Sequence, residues 1–376
     1  MRKLSISVCL LLFTLLSYSQ QYTLFVGTFT KGKSAGIYIY DFNPATKEAI
    51  LLDSVKTSNP SFLGISPDNK YLYAVNEDDA THGGGQVSAF RYDKEKRSLS
   101  FINKESSGGD NPCYVTVDKN GKWVVVGNYG SGTLSVLPIA PDGGLGSAAI
   151  TLQHNGSGPN KQRQQSAHVH STVFSPNNKF LYVQDLGIDK VMMYAFNNKS
   201  GILKTHGSAI LKPGSGPRHM EFHPNGKWVY VVQELAGLVT AFNYDDGQLK
   251  QIQEISLLPE NYQGDPTSAD IHVSPDGHFL YASNRNPSNS ITIFKIDQLT
   301  GKLEVVGHQS TLGKVPRNFN FDPTGNLLLV ANQDTDNISI FQVDKQTGNL
   351  TDTGKQISVP TPVCIKWITA ASPKKK

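Results

Sequence analysis

The chain has 376 residues, 38% of them hydrophobic and 18% charged, with 34 glycines, 20 prolines and three cysteines. That apolar content excludes a disordered chain, the cysteine count excludes a disulfide scaffold, and 35 basic against 31 acidic residues is too even for a nucleic-acid or membrane-surface protein. Length alone allows two or three domains, although propellers and barrels use several hundred residues as one unit.

The first element is a leader. Arg2 and Lys3 precede a hydrophobic run from Leu4 to Leu16, and Ser17 and Ser19 follow as small residues, the pattern of a secretory signal peptide covering residues 1–19. The run is too short to span a membrane. After cleavage the chain is expected to be exported, periplasmic or extracellular, with no membrane association and its formal charge reduced from +4 to +2 by loss of the two basic residues. Cys9 leaves with the leader. Cys113 and Cys364 fall on non-adjacent repeats, so no disulfide between them is expected.

Next, YTLFVGTFT from Tyr22 reads as a strand without a partner before it. Six copies of a two-strand phrase follow: SNPSFLGISPDNKYLYAVNE from Ser58, DNPCYVTVDKNGKWVVVGNY from Asp110, SAHVHSTVFSPNNKFLYVQDL from Ser166, GPRHMEFHPNGKWVYVVQEL from Gly216, TSADIHVSPDGHFLYASNR from Thr267 and VPRNFNFDPTGNLLLVANQ from Val315. They align on Pro67, Lys119, Pro176, Pro224, Pro275 and Pro323, at intervals of 48 to 57 residues. Each phrase is a hairpin, since β-branched and aromatic runs flank a Pro-Asp-Gly type turn, and two further strands such as GQVSAFRYD and SLSFINKE come after it. Four short strands per repeat of this length predict a β-propeller blade. No Trp-Asp pair occurs and Gly-His does not recur from repeat to repeat, which disfavours a WD-type repeat. The closing PTPVCIKWI from Pro360 supplies the strand missing before Tyr22. Residues 20–370 are thus predicted to form one all-β, seven-bladed propeller with four antiparallel strands per blade, closed by the C-terminal strand, and residues 371–376 a basic tail.

In such a hairpin the first strand's start and the second strand's end share one mouth of the central channel. The starts are Ser61, Cys113, His170, Arg218, Ala269, Arg317 and Val363; the ends are Thr28–Phe29, Asn76–Glu77, Asn128–Tyr129, Asp185–Leu186, Gln233–Glu234, Asn284–Arg285 and Asn332–Gln333. Deeper equivalents, Ile65, Val117, Phe174, Phe222, Val273, Phe321 and Trp367, are packing residues. Repetition specifies scaffold, and departure from it marks a site. His170, Arg218, Arg285, Arg317, Glu77 and Glu234 predict an anion-binding mouth, with Asn128, Asp185, His219, Asn284 and Asn332 as further substrate-binding candidates. A metal set drawn from His168 and His170 with His219 or His272 has no diagnostic spacing and sits among arginines, so no metal and no other cofactor is expected. The insertion QHNGSGPNKQRQQS from Gln153 reads equally as a lid or a plain surface loop.

GSGPRHMEFHPNG, LLPENYQGDPTSADIHVSPDGHFLYASNR and VPRNFNFDPTGNLLLVANQ resemble the seven-bladed propeller lactonase family, which includes the bacterial propeller-type 6-phosphogluconolactonases and the fungal carboxymuconate lactonising enzymes. The likeness runs from about Tyr22 to Ile368. It implies a catalytic set of His170, Arg218, Glu234 and Arg285, with either His170 or Glu234 handling the proton and the arginines binding an anion and the developing oxyanion. The activity implied is a lactone hydrolase closest to 6-phosphogluconolactonase, opening a small sugar or anionic δ-lactone to the aldonate as a monomer. The alternatives are a cycloisomerase acting on muconate-like dicarboxylates, and a non-catalytic exported propeller binding carbohydrate or protein. The leader departs from the family pattern, since phosphorylated sugars are cytoplasmic intermediates.

Overall fold

The aligned turns fold as the phrase dictates. In five of the six copies the residue before the aligned position reaches across its own turn: Ser66 Oγ accepts from the Tyr71 amide at 2.9 Å, Asp118 Oδ1 from Trp123 at 2.8 Å and Asp322 Oδ1 from Leu327 at 2.7 Å, while in the remaining copy His223 Nδ1 accepts from Asn225 N at 3.1 Å. Such side-chain caps fix the hairpin where its strands reverse. The computed structural model describes residues 22–30 and 32–369. Residues 1–21, which include the expected signal peptide, and residues 370–376, which include the expected basic tail, lie outside them.

Among the described residues, 28 strands form seven four-stranded antiparallel sheets, and the helical content is two single 3-10 turns. No helix among them is long and apolar enough to cross a membrane. In six sheets the strands follow chain order. The seventh begins with the C-terminal strand Pro362–Thr369, which pairs antiparallel with Tyr22–Thr28. That closure satisfies the strand edge an open ring would leave, and Phe29 N donates to Thr361 O at 3.2 Å just beyond it.

The core lies between neighbouring blades. Phe279 and Tyr281 of one blade, for example, pack with Phe319, Leu328 and Phe341 of the next. Fully buried rings such as Phe25, Phe294 and Phe341 each stabilise the fold by about 1.5–3 kcal/mol. A second repeated contact latches blade to blade. Tyr73, Tyr182, Tyr230 and Tyr281 hold equivalent positions and donate their hydroxyls to Gly143 O, Gly247 O, Gly301 O and Gly348 O at 2.7–3.0 Å. These glycines meet an aromatic ring at close range. At Gly301, with φ +72°, a Cβ would lie 2.5 Å from the Trp228 ring, so backbone conformation and close approach both require glycine there.

The inner strands carry the feature that builds the site. Pairing jumps from Pro112↔Asn128 to Tyr114↔Gly127, from Val169↔Asp185 to Ser171↔Gln184, from Pro217↔Gln233 to His219↔Val232, and from Pro316↔Asn332 to Asn318↔Ala331. Cys113, His170, Arg218 and Arg317 are therefore the extra residues of β-bulges. Ala269 and Val363 fall at comparable register shifts. A bulge bends the strand and re-aims one side chain; here that side chain stands at one mouth of the channel.

Candidate active site

The residue following each second strand is held by its own backbone. Glu77 N, Tyr129 N, Glu234 N and Arg285 N donate to Asn59 O, Asn111 O, Gly216 O and Thr267 O at 2.8–3.3 Å. Their side chains meet those of the bulges around a cavity of about 320 Å³ lined by Glu77, Cys113, Tyr129, Arg163, His170, Glu234, Arg285 and Arg317. An outer cavity of about 370 Å³ shares Arg163, Glu234 and Arg285 and adds Thr267, Asn286 and Val315. A larger groove, about 530 Å³, lies among the turns that ring the other face, between Pro67, Tyr71, Trp123 and Pro141. Asp68 and Lys122 are its only ionisable groups besides Tyr71, and the convergent chemistry is at the mouth.

Glu234 organises the arginines. Its carboxylate lies 2.6 Å from Arg163 Nη2, 2.9 Å from Arg218 Nε and 3.1 Å from Arg285 Nη2. Burial alone would raise its pKa, but the charges of Arg285, Arg218 and Arg163 outweigh that and hold it down at about 2. Arg317 sits 3.8 Å from Glu77 and 5.2 Å over the Phe29 ring. Desolvation raises the Glu77 pKa, with Arg317 only partly offsetting it. Four guanidinium groups thus face two carboxylates, an excess of positive charge suited to an anion.

His170 is the candidate for proton transfer, its Nδ1 3.8 Å from Cys113 Sγ. Desolvation, then the charge of Arg218, holds its imidazole well below the ordinary range, so it is neutral at pH 7. Cys113 Sγ lies 3.3 Å from His170 O, and burial pushes that thiol far up, leaving it protonated. Cys113 and Cys364 are both free thiols.

Arg218 lies beneath the cavity rather than lining it, only 1% exposed. Its Nη1 donates to Ala269 O and lies 3.4 Å from His219 Nε2. Desolvation and the neighbouring Arg285 lower its pKa to about 9, and it stays charged at neutral pH. His219 faces this support rather than the cavity: its Nδ1 donates to Asp270 Oδ1 at 2.7 Å. Asp270 Oδ2 accepts from Asn318 Nδ2 and Phe319 N and lies at ion-pair distance, 3.2 Å, from His272 Nε2, off the line of a hydrogen bond. His272 Nδ1 in turn donates to Glu221 Oε2 at 2.8 Å. A polar column therefore runs down the channel under Arg218.

Four of the substrate-binding candidates are scaffold instead. Asn128 Nδ2 donates to Ser107 O, Asn332 Nδ2 to Thr311 O, and Asn284 Oδ1 accepts from Thr267 N, each tying down a loop between blades. Asp185 anchors both ends of the insertion: Oδ1 accepts from His168 N at 2.8 Å and Oδ2 pairs with His154 Nδ1 at 2.7 Å. The reason is one residue of register. Neighbouring strand residues point to opposite sides, so in four of the mouth pairs the second member, Glu77, Tyr129, Glu234 or Arg285, faces the cavity. His168 stacks on Tyr129, ring centroids 4.4 Å apart, and among the described residues no group of three or more His, Cys, Asp or Glu is arranged to hold a metal ion. Sequence reasoning missed Arg163, whose insertion has no counterpart in other blades, and the Asp270 column, which lies one layer below the mouth.

A seven-bladed propeller with a guanidinium-rich mouth around a neutral histidine defines a lactonase-type scaffold. The chain belongs to the family described as "Lactonase, 7-bladed beta-propeller", whose model matches residues 23–367. It is 38% identical to a 6-phosphogluconolactonase of Bacillus subtilis over 353 residues, 93% of this chain and 99% of that one. It is 43% identical to a 6-phosphogluconolactonase of Formosa agariphila, covering 84% of this chain and 90% of that one. Among solved structures, a periplasmic gluconolactonase of Pseudomonas aeruginosa superposes with a TM-score of 0.89 at 34% identity, covering 93% of this chain and 100% of that one.

Proposed function

We propose that this chain is a sugar δ-lactone hydrolase of 6-phosphogluconolactonase type, acting at the guanidinium-rich mouth. His170 takes a proton from water as the water oxygen bonds to the acyl carbon. Arg285 and Arg317 stabilise the oxyanion that develops on the carbonyl oxygen. When the ring C–O bond breaks, the imidazolium returns its proton to the departing ring oxygen, which becomes a hydroxyl, and the new carboxylic acid ionises to solvent. Glu234, bound to three arginines and held at about 2, is their counter-ion and not the base. The observation that carries this reading is a neutral buried His170 beside unneutralised arginine charge.

Export to the periplasm or beyond is part of the proposal and rests on residues 1–19. With the Pseudomonas relative it favours a second reading of the substrate, an unphosphorylated gluconolactone. The test follows the opening of δ-gluconolactone and its 6-phosphate by pH-stat at a pH where spontaneous hydrolysis is slow. Acceleration that falls at least about 100-fold in Arg285→Ala supports the reading; no acceleration over buffer for either lactone refutes it.

A further inference from the structure

We infer that the outer cavity between Arg163 and Arg285 is the subsite for an anionic group at the end of the substrate remote from the lactone, a phosphate monoester, and that Arg163 selects for it. This rests on the lactonase reading and sharpens its substrate class. Arg163 and Arg285, with Glu234 between them, line both cavities. Of the four guanidinium groups, that of Arg163 is the most open to solvent, its side chain 38% exposed against 2% for Arg218, 15% for Arg285 and 17% for Arg317. An entering ligand therefore meets it first.

Arg163 also has unspent donors. Its Nη2 serves Glu234 Oε1 at 2.6 Å and the Tyr129 hydroxyl at 3.3 Å, while Nε and Nη1 donate to no protein group among the described residues. Arg285 uses Nε on Thr267 O and Nη2 on Ser268 O and Glu234, leaving Nη1 in the same position. Two forks with open N–H groups suit the several acceptor oxygens of a phosphate. Glu234 already has two other arginine partners, so Arg163 can turn to a ligand without leaving a buried carboxylate unpaired.

The arm that carries Arg163 is built to hold position. Gln164, fully buried, donates to Leu186 O at 2.9 Å and Asp189 Oδ1 at 2.7 Å and accepts from Asn160 N at 3.1 Å. Asp185 pins the loop at His154 and His168. The insertion is thus an anchored bracket over the mouth, and substitution of Arg163 removes a charge from its tip without touching those anchors.

The experiment compares wild type with Arg163→Gln and Arg163→Lys, using 6-phosphogluconate and gluconate as probes in calorimetric titrations at fixed ionic strength, with thermal melting to confirm the fold. Arg163→Gln is expected to weaken 6-phosphogluconate about tenfold more than gluconate, the worth of one charge-assisted hydrogen bond, and Arg163→Lys to recover part of that difference. Equal weakening of both ligands, no weakening, or wild-type preference for gluconate overturns the inference. Selective loss in a protein that opens neither lactone keeps the anion subsite and refutes the lactonase reading, so the two failures are separable.

Discussion

Asp270 accepts the Nδ1 proton of His219 at 2.7 Å, deep in the channel beneath the mouth. That bond fixes the tautomer: His219 turns its Nε2 lone pair toward Arg218 Nη1, 3.4 Å away. Desolvation, reinforced by Arg218, lowers the His219 pKa to about 4, whereas Asp270 and Glu221 overcome desolvation and raise that of His272 to about 10. Asp270 is therefore a carboxylate between one neutral imidazole and one imidazolium.

Asp270→Asn keeps the shape and removes the charge. It leaves His272 with Glu221 alone and frees the His219 ring to present an N–H to Arg218. The expected cost is about 3–5 kcal/mol of stability, the usual penalty for breaking a buried charge pair, together with a lower kcat. Urea unfolding and steady-state kinetics check both; unchanged stability would show that the column is not an ion-paired unit.

Acid should destabilise the fold in two stages. His170 and His219 are held below 6.5 when folded, so the stability they contribute is full above pH 6.5 and is lost as pH falls, through about 4 for His219. Glu234, lowered from 4.5 to about 2, contributes stability above pH 4.5 that disappears as pH falls to about 2. His272 has the opposite sign: its contribution is complete below pH 6.5 and is lost as pH rises to about 10. Melting temperature against pH measures this, and Glu234→Gln should flatten the curve between pH 4.5 and 2.

Loss of a blade latch should cost little, and loss of its glycine more. Tyr230→Phe removes one hydroxyl bond to Gly301 O and is expected to cost about 1 kcal/mol. Gly301→Ala adds a Cβ 2.5 Å from the Trp228 ring at φ +72°, for which about 1–3 kcal/mol is expected from strain alone. Equilibrium unfolding of the two variants ranks them directly.

The seven blades were legible because the hairpins repeat their turn and strand composition, and because the strand from Pro360 and the strand from Tyr22 lack partners except each other. Glu77, Glu234, Arg285 and His170 were legible as departures from the repeat. The bulges were not, since an extra residue at His170 or Arg218 leaves the turn-to-turn spacing unmarked. For the same reason Asn128, Asp185, Asn284 and Asn332 looked like cavity residues when they tie loops together. Arg163 stands in an insertion with no repeat to align against, so only the fold brings it 2.6 Å from Glu234, 71 positions along the chain.

In the proposed mechanism neutral His170 carries the proton in lactone opening while Glu234 holds the arginines. That assignment is tested most directly by the pH dependence of kcat/KM for δ-gluconolactone 6-phosphate in wild type and His170→Asn. The rate should stay level from neutral pH downward and fall only well below pH 6.5, with at least about a 100-fold loss in His170→Asn. A wild-type profile breaking near pH 6.5, or a His170→Asn variant as fast as wild type, would contradict it.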